Sequence, residues 1–280
     1  MAGARRLAVL GSPIGHSKSP ALHTAAYAAL ELPWEYTAIE VVEGSLGEFL
    51  KTLDESWLGL SLTMPLKREV MQFLSESSAV VQTIGAANTV VIDSAAEGDV
   101  ALRGFNTDVG GVLGALADHG VERVSSAHVI GTGATAATAL VALRELGAER
   151  VLVTGRRAEG LDDLVELGSR MGDAVETRRF GEPMPFRPEL VIDTLPGGIE
   201  PVDDPAADDG DVLLDVSYDP WPTARAARWI NRGGVVVDGL EMLLHQAIGQ
   251  VRIFTTGSPE NELPDEQAVI RAMRLAVERS

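Results

Sequence analysis

An apolar strand, a glycine turn and a helix follow one another at residues 127–146, and few folds accommodate that order. The turn reads GTGA at residues 131–134, and Ala136 supplies the small residue that close packing of the helix on the strand requires. Gly131 permits the tight turn, Gly133 lets the backbone approach a pyrophosphate, and the helix N-terminus offers N–H groups to the phosphates. The segment therefore predicts a parallel α/β unit that binds a dinucleotide.

The residues that we assign to this phosphate site are Gly131, Thr132, Gly133, Ala134 and Thr135. A Gly-x-Gly-x-x-Ala sequence is weak evidence by itself, because an ordinary glycine-rich turn between a strand and a helix can have the same sequence. The strand before this turn and the helix after it favour the dinucleotide site over that alternative.

The end of the next strand indicates which dinucleotide is bound. NAD-binding proteins commonly place an Asp or Glu about 20 residues after the turn, where it holds the ribose 2′-hydroxyl. This chain has Gly155, Arg156 and Arg157 there, and guanidinium groups match a 2′-phosphate in geometry and charge. We therefore predict NADP as the cofactor, with Arg156 a stronger candidate than Arg157. The alternative is that one of the two is a solvated surface arginine.

Short apolar runs alternate with helical segments along the chain, which predicts an α/β fold with mostly parallel sheets. At 280 residues the chain is long for one domain and suits two. Helical patterns separate most of the apolar runs. Strands are expected at residues 7–10, 34–41, 58–62, 89–92, 127–130, 151–153, 190–193, 212–216 and 235–237.

We expect three segments along the chain. Residues 1–107 are predicted to form a substrate-binding and catalytic domain, and residues 108–240 a Rossmann-type dinucleotide-binding domain. Residues 241–280 are helical with no later strand, so these C-terminal helices are expected to return and pack on the first domain. The acidic, proline-containing stretch at 201–210 is expected to be a solvated loop.

Composition limits the classes of partner. The net charge of −18 disfavours nucleic acid, because phosphate backbones bind to basic surfaces. The chain has no cysteine, so disulfides, thiolate nucleophiles and cysteine-ligated metals are excluded, and we predict no metal site. The apolar runs are too short for a signal peptide or a membrane span. The expectation is a cytoplasmic protein with a small-molecule substrate, either a monomer or a homodimer.

The loop GSPIGHSKSP at residues 11–20 is rich in hydroxyl groups. Pro20 fits the first helical position, with Ser19 as N-cap. Serine hydroxyls at a positive helix terminus form a good receptor for a carboxylate. Plain capping by Ser19 is the alternative, but it does not account for Ser17. We interpret His16, which lies beside a loop glycine, as structural.

Lys67 closes the run SLTMPLK at residues 61–67, directly after a predicted strand, and Asp108 closes GFNTD at residues 104–108. A lysine and an aspartate brought together near a nucleotide fold form a proton-transfer pair. A surface lysine at a helix start and a helix-capping aspartate are the alternatives. The position of Lys67 near the carboxyl end of a strand disfavours the first, and capping by Asp108 is compatible with catalysis.

Together these segments resemble the shikimate dehydrogenase family, and the resemblance covers nearly the whole chain. Six motifs in the right order are far more specific than any one of them. They are GSPIGHSKSP at 11–20, SLTMPLK at 61–67, GAANT at 85–89, GFNTD at 104–108, DVSYDP at 215–220 and GLEMLLHQA at 239–247.

The resemblance implies an NADP-dependent oxidoreductase of aromatic amino acid biosynthesis, which reversibly reduces 3-dehydroshikimate to shikimate. It also implies a role for each matching residue. Lys67 and Asp108 would be the catalytic pair; Ser17, Ser19 and Thr63 would hold the substrate carboxylate; Asn88 and Gln246 would bind ring hydroxyls; and Tyr218 would line the substrate side. Gly239 would contact the cofactor, and Met242 would pack near the nicotinamide.

Three segments depart from the family pattern. Ser61 stands where the family usually has Asn, and its shorter side chain reaches less far toward a substrate. The usual Asn-Arg-Thr reads Gly155-Arg156-Arg157, and Asp193 replaces another usual Asn. A dehydrogenase acting on quinate or aminoshikimate therefore remains an alternative, as does a non-catalytic NADP-binding sensor. The second alternative does not explain why the proton-transfer pair is intact.

Overall fold

The computed structural model describes residues 5–96, 99–197, 199 and 210–278. The chain forms two compact units: the first comprises Met1–Thr107 and Gln246–Ser280, and the second Asp108–His245. The solvated loop expected at 201–210 lies, apart from Gly210, outside the described residues. In the part that is described, no helix combines the length and the apolar character that a membrane crossing requires.

The secondary structure alternates through most of the chain. The strands are β1 Arg5–Gly11, β2 Trp34–Glu40, β3 Trp57–Leu62, β4 Glu76–Ser77, β5 Thr89–Ala96, β6 Asp99–Phe105, β7 Ser126–Ile130, β8 Arg150–Gly155, β9 Val175–Arg179, β10 Leu190–Asp193, β11 Val212–Asp215 and β12 Val235–Val237. The helices are α1 Ser19–Ala29, α2 Leu46–Leu50, α3 Leu66–Glu69 (followed by the 3₁₀ turn Val70–Phe73), α4 Ala79–Ile84, α5 Asp108–Asp118, α6 Ala134–Glu145, α7 Ala158–Met171, α8 Ala224–Asn231, α9 Gly239–Thr256 and α10 Glu266–Glu278.

The sheet of the first unit has the order β2-β1-β3-β5-β6-β4 among the described residues. Strands β1, β2 and β3 are parallel, as the alternating pattern predicts. Strand β5 runs antiparallel to β3 and pairs antiparallel with β6, so this part of the sheet is a hairpin. Strand β6 was not predicted, because a hairpin has no helix between its strands to mark them. Strand β4 was not predicted either, and it is only two residues long.

The apolar core of the first unit lies between the strands of its sheet and the helices that cover them. Residues 7–11 of β1 are all buried, as expected for a strand covered by helices on both faces. Leu10, Leu60 and Val90 on neighbouring strands belong to one apolar cluster with residues of the covering helices. The C-terminal helix α10 packs against α1.

The second unit is a doubly wound sheet with the order β12-β11-β10-β7-β8-β9, in which every recorded pairing is parallel. This is the strand order of the Rossmann fold, and its topological switch point lies between β7 and β10. Strand β9 was not predicted. It is polar and mostly exposed at the sheet edge, so it lacks the apolar run that marks the other strands.

The compact units divide α9 between His245 and Gln246. The boundary predicted at residue 241 lies close to the start of this helix. The roles expected for the domains, substrate binding in one and cofactor binding in the other, remain predictions.

Candidate active site

The ends of two parallel strands bring two of the predicted motifs side by side in the first unit. Because β1 and β3 are parallel neighbours, the loops that follow them leave the same edge of the sheet. The Thr63 N–H donates to the carbonyl of Leu10 (2.9 Å), and the Ser12 N–H donates to the carbonyl of Met64 (3.0 Å). A side chain at Gly11 would collide with Thr63 and the Met64 carbonyl, so glycine permits this close approach.

The serine loop begins α1 differently from our expectation. The helix starts at Ser19 with Lys18 in the capping position and Pro20 behind it, so the prediction of Ser19 as N-cap was wrong by one residue. The hydroxyl of Ser17 accepts a hydrogen bond from the Ser19 N–H (3.3 Å), which satisfies one of the open donors of the first turn. Ser19 is buried and Ser17 half-buried, and both lie at the positive end of α1.

Lys67 and Asn88 are adjacent through their backbones. Lys67 is half-buried in α3, and its carbonyl accepts from the Ala87 N–H at 2.9 Å. The Asn88 carbonyl accepts from the Leu62 N–H at 2.7 Å, at the end of β3. The antiparallel pairing of β5 with β3 thus places the start of one strand beside the end of the other.

The Asn88 amide is held on both sides. Its Oδ1 accepts from the Thr107 N–H (2.9 Å) and from the Thr89 hydroxyl (2.7 Å). Its Nδ2 donates to Thr107 Oγ1 (2.9 Å) and to Gln246 Oε1 (3.3 Å). Asn88 and Gln246 are 1% and 7% exposed, so these amides are built into the fold rather than carried on a surface. Asp108 follows Thr107 directly and opens α5.

The first unit therefore gathers most of the predicted substrate residues on one edge of its sheet. The serine loop, Thr63 and Lys67 lie after β1 and β3, Asn88 lies before β5, and Gln246 comes from α9.

Sequence reasoning missed a set of polar residues behind this edge. His23, Tyr36, Thr89, Thr107 and Gln250 are all buried and hydrogen-bonded. Gln250 lies one helical turn after Gln246 on α9, and that spacing is the signal that could have found it. The hydroxyl of Ser61 belongs to the same set, since it accepts from Tyr36 (2.7 Å) and donates to Gln250 (3.0 Å).

The second unit places the glycine turn between β7 and α6. Gly131 has φ +113°, a conformation that favours glycine, and its N–H donates to the Thr154 carbonyl at 2.9 Å. Gly133 precedes α6, and a Cβ added there would meet nothing within 4 Å. The first N–H groups of α6, those of Ala134 and Thr135, have no acceptor within the helix. An open space before a helix N-terminus fits the pyrophosphate of a dinucleotide.

The packing at the end of β8 explains why Gly155 stands where the family usually has Asn. A side chain at Gly155 would collide with the side chains of Thr132 and Leu161, and one at Gly160 would collide with Thr132. The side chain of Thr132 therefore packs against β8 and α7, which leaves its backbone as the group that could face a phosphate. Arg156 and Arg157 follow β8 and are exposed.

The late motifs lie in the loop after β11 and at the start of α9. A side chain at Gly239 would collide with the carbonyls of Val216 and Ser217, so glycine lets the two segments approach. Tyr218 is half-buried in that loop. Met242 is 7% exposed and lies one turn before Gln246 on α9.

Two carboxylates lie side by side where β10 and β11 end. Asp193 and Asp215 are register partners, and Arg225 of α8 donates to Asp193 at 2.6 Å with only 2% of its surface exposed. Burial, together with the charge of Asp193, raises the pKa of Asp215 to about 6. The Thr194 hydroxyl then donates to the Ile130 carbonyl (2.8 Å), so the segment after β10 lies against the glycine turn.

Among the described residues, Asp118, Glu241 and His245 are a group whose potential metal-ligand atoms lie within 4.8 Å of one another. A hydrogen bond of 3.0 Å between His245 Nε2 and Asp118 accounts for the closeness of two of them without a cation.

The doubly wound sheet, the glycine turn at its switch point and the arginines after β8 define a dinucleotide-binding protein. The polar edge of the first unit, with its half-buried lysine, adds the groups of a dehydrogenase site.

Comparisons with known proteins identify the family. A family model for the shikimate dehydrogenase substrate binding domain matches residues 9–90. A protein of Ignicoccus hospitalis named shikimate dehydrogenase (NADP(+)) is 31% identical over 257 residues, which cover 90% of this chain and 94% of that protein. The chain belongs to the shikimate dehydrogenase family.

Solved structures of shikimate dehydrogenases are similar to this chain over nearly its whole length. The crystal structure of shikimate dehydrogenase from Mycobacterium tuberculosis has 36% identity and a TM-score of 0.81, covering 97% of this chain and 99% of that one. The structure of shikimate 5-dehydrogenase from Thermus thermophilus in complex with NADP(H) and shikimate has 32% identity and a TM-score of 0.80, with coverage of 97% and 99%.

Proposed function

We propose that this protein catalyses the reversible NADP-dependent reduction of 3-dehydroshikimate to shikimate, a step in aromatic amino acid biosynthesis. The observation that carries the proposal is the polar edge of the first unit, where the serine loop, Lys67 and Asn88 lie at adjoining strand ends. The relatives named as NADP-dependent shikimate dehydrogenases support it. We expect a cytoplasmic monomer or homodimer whose partners are small molecules.

The substrate residues are proposed by chemical fit. Ser17, Ser19 and Thr63 offer hydroxyl groups near the positive end of α1, where a carboxylate is favoured. Asn88 and Gln246 offer amides for ring hydroxyls. Tyr218 would line the substrate side.

The cofactor residues are proposed from the second unit. The backbone of residues 131–135 would hold the pyrophosphate, and Arg156 and Arg157 the 2′-phosphate. Gly239 would contact the cofactor, and Met242 would lie near the nicotinamide.

Catalysis requires one proton for each hydride. NADPH, when bound, supplies the hydride to the ketone carbon. The ketone oxygen then gains negative charge, and we propose that the ammonium of Lys67 donates the proton that neutralises it. Asp108 would orient Lys67 and share hydrogen bonds with the substrate hydroxyl. In the oxidation direction the same amine would accept the proton from shikimate.

The test of the function is an assay of the purified protein that crosses shikimate and quinate with NADP and NAD, followed by the absorbance of the reduced nicotinamide. We expect turnover with shikimate and NADP to exceed the other three combinations. Faster turnover of quinate would indicate the alternative substrate. Absence of turnover with a correctly folded protein that binds NADP would indicate the sensor.

Arg156→Ala is expected to raise the KM for NADP by about tenfold or more, the effect of losing one charged hydrogen bond. The KM for NAD should change little, because NAD has no 2′-phosphate. Arg157→Ala is the matched variant and should have the smaller effect. Equal effects of Arg156→Ala on the two cofactors would contradict the proposed contact.

A further inference from the structure

Gln250 lies at the centre of a buried chain of hydrogen bonds in the first unit, which runs from His23 to Asn88. His23 is fully buried and Gln250 is 1% exposed. The Oε1 of Gln250 accepts from Ser61 (3.0 Å) and bonds to His23 Nε2 (3.1 Å), and its Nε2 donates to the Asn88 carbonyl (3.2 Å) and to Thr89 Oγ1 (3.0 Å). All four hydrogen-bonding positions of the amide are therefore filled.

Two backbone groups fix the donor-to-acceptor direction of these hydrogen bonds. The Asn88 carbonyl can only accept, so Gln250 must turn its nitrogen toward it and its oxygen toward His23 and Ser61. The Thr107 N–H can only donate, so Asn88 must turn its Oδ1 toward it. The hydroxyl of Thr89 joins the two amides, because it accepts from Gln250 and donates to Asn88 Oδ1.

The position of the proton on His23, at the other end of the hydrogen-bond network, is fixed in the same way. Since Gln250 presents oxygen, the proton of His23 must lie on Nε2, and Nδ1 accepts from the Tyr27 hydroxyl at 3.0 Å. Burial lowers the pKa of His23 to about 3, which keeps the ring neutral. The ring stacks on Tyr36 at 3.9 Å, and the Tyr36 hydroxyl donates to Ser61. The donor and acceptor roles along these hydrogen bonds thus cannot be exchanged without breaking a buried hydrogen bond.

The consequence falls on Asn88, whose Nδ2 is the side that faces Gln246 and Thr107 Oγ1. We propose that Gln250 is a positioning residue of the substrate site: through Thr89 it holds Asn88 so that its amide nitrogen, and not its carbonyl oxygen, faces Gln246. A substrate oxygen would take the place of Gln246 Oε1 as the acceptor of one of its N–H groups. The inference rests on the proposed function, because it takes Asn88 as a substrate contact.

The decisive experiment is a double-mutant cycle on shikimate binding, measured by calorimetry without cofactor. Gln250→Met keeps the length of the side chain and removes its hydrogen bonds, and it is expected to raise the Kd for shikimate by about five- to twentyfold. In an Asn88→Ala background the same change should have almost no effect on that Kd, because Gln250 acts through Asn88. The Kd for NADP should be unchanged in all variants.

Thr89 provides a second pair of variants should Gln250→Met fold poorly. Thr89→Val removes the joining hydroxyl and should weaken shikimate binding, whereas Thr89→Ser keeps it and should restore the Kd. Thr255→Val is the control, because the Thr255 hydroxyl donates to the Val251 carbonyl on the same helix and takes no part in the hydrogen bonds between His23 and Asn88. It should leave the Kd unchanged.

Three results would overturn the inference. One is a Gln250→Met protein that melts at a lower temperature but binds shikimate as well as the unchanged protein does. Another is an equal loss of affinity in the presence and absence of Asn88, which would indicate general damage to the unit. The third is a Thr89→Ser protein as weak as Thr89→Val. If Asn88→Ala alone leaves the Kd unchanged, the proposed role of Asn88 fails, and that outcome is separate from a failure at Gln250.

Discussion

Lys67→Ala is expected to lower kcat for shikimate oxidation by about 10²–10⁴-fold, the range that general acid–base catalysis typically contributes. The alanine protein retains the serine loop and the two amides, so the Kd values for shikimate and NADP should change little. The loss should therefore appear in kcat rather than in binding, as expected for an interaction made in the transition state. Steady-state kinetics combined with calorimetry separate the two quantities.

Two further variants test whether the positive charge of Lys67 is enough for catalysis. Lys67→Arg keeps the positive charge, but a guanidinium does not release its proton near neutral pH, so activity should stay low. Arg68→Ala removes a neighbouring exposed cation and should leave kcat nearly unchanged. Near-normal turnover of Lys67→Ala would remove Lys67 from the mechanism and leave the family resemblance without its proposed proton donor.

The second unit could be predicted from the sequence because its signals are local. Apart from β9, each parallel strand is a short apolar run, helices separate most of the runs, and the glycine turn marks the end of β7. Strand β9 lacked that signal, since its residues are mostly exposed and polar at the sheet edge. Strand β6 was missed for another reason: it pairs in a hairpin with β5, so no helix separated the two strands.

The proposed site was predicted in part. Motifs identified Lys67, Asn88 and Gln246, because their neighbours in sequence are distinctive. The residues behind them lie outside these motifs: His23 and Gln250 are 227 positions apart and meet only in the folded unit. In sequence, a polar residue of a helix resembles a surface position until its partner is known. Ser61 was noted only as a departure, and the buried hydroxyl explains what that residue does in this chain.

Arg225→Met is expected to lower the free energy of unfolding by about 3–5 kcal/mol, because removal of one partner leaves a buried charge uncompensated. Arg225 donates to Asp193 at 2.6 Å, and Asp215 lies beside Asp193 in register on β11. Without the guanidinium these two buried carboxylates would repel each other. Asp193→Asn combined with Arg225→Met removes the uncompensated charge and should recover a large part of the loss. Arg232→Met, at an exposed position after α8, should change stability by no more than about 0.5 kcal/mol.

The pH dependence of the stability lost in Arg225→Met shows whether Arg225 stabilises the unit by its charge or by packing. The pKa of Asp215 is raised to about 6 in the folded protein, so the folded form binds a proton there more tightly than the unfolded chain does. A raised carboxyl pKa makes stability fall as the pH rises through that range and recover as the pH falls below it. Without Arg225 the pKa of Asp215 should rise further, so the loss caused by Arg225→Met should be smaller at acidic than at alkaline pH. Denaturant unfolding followed by circular dichroism would measure it, and an equal loss at both pH values would indicate that Arg225 stabilises the unit by packing alone.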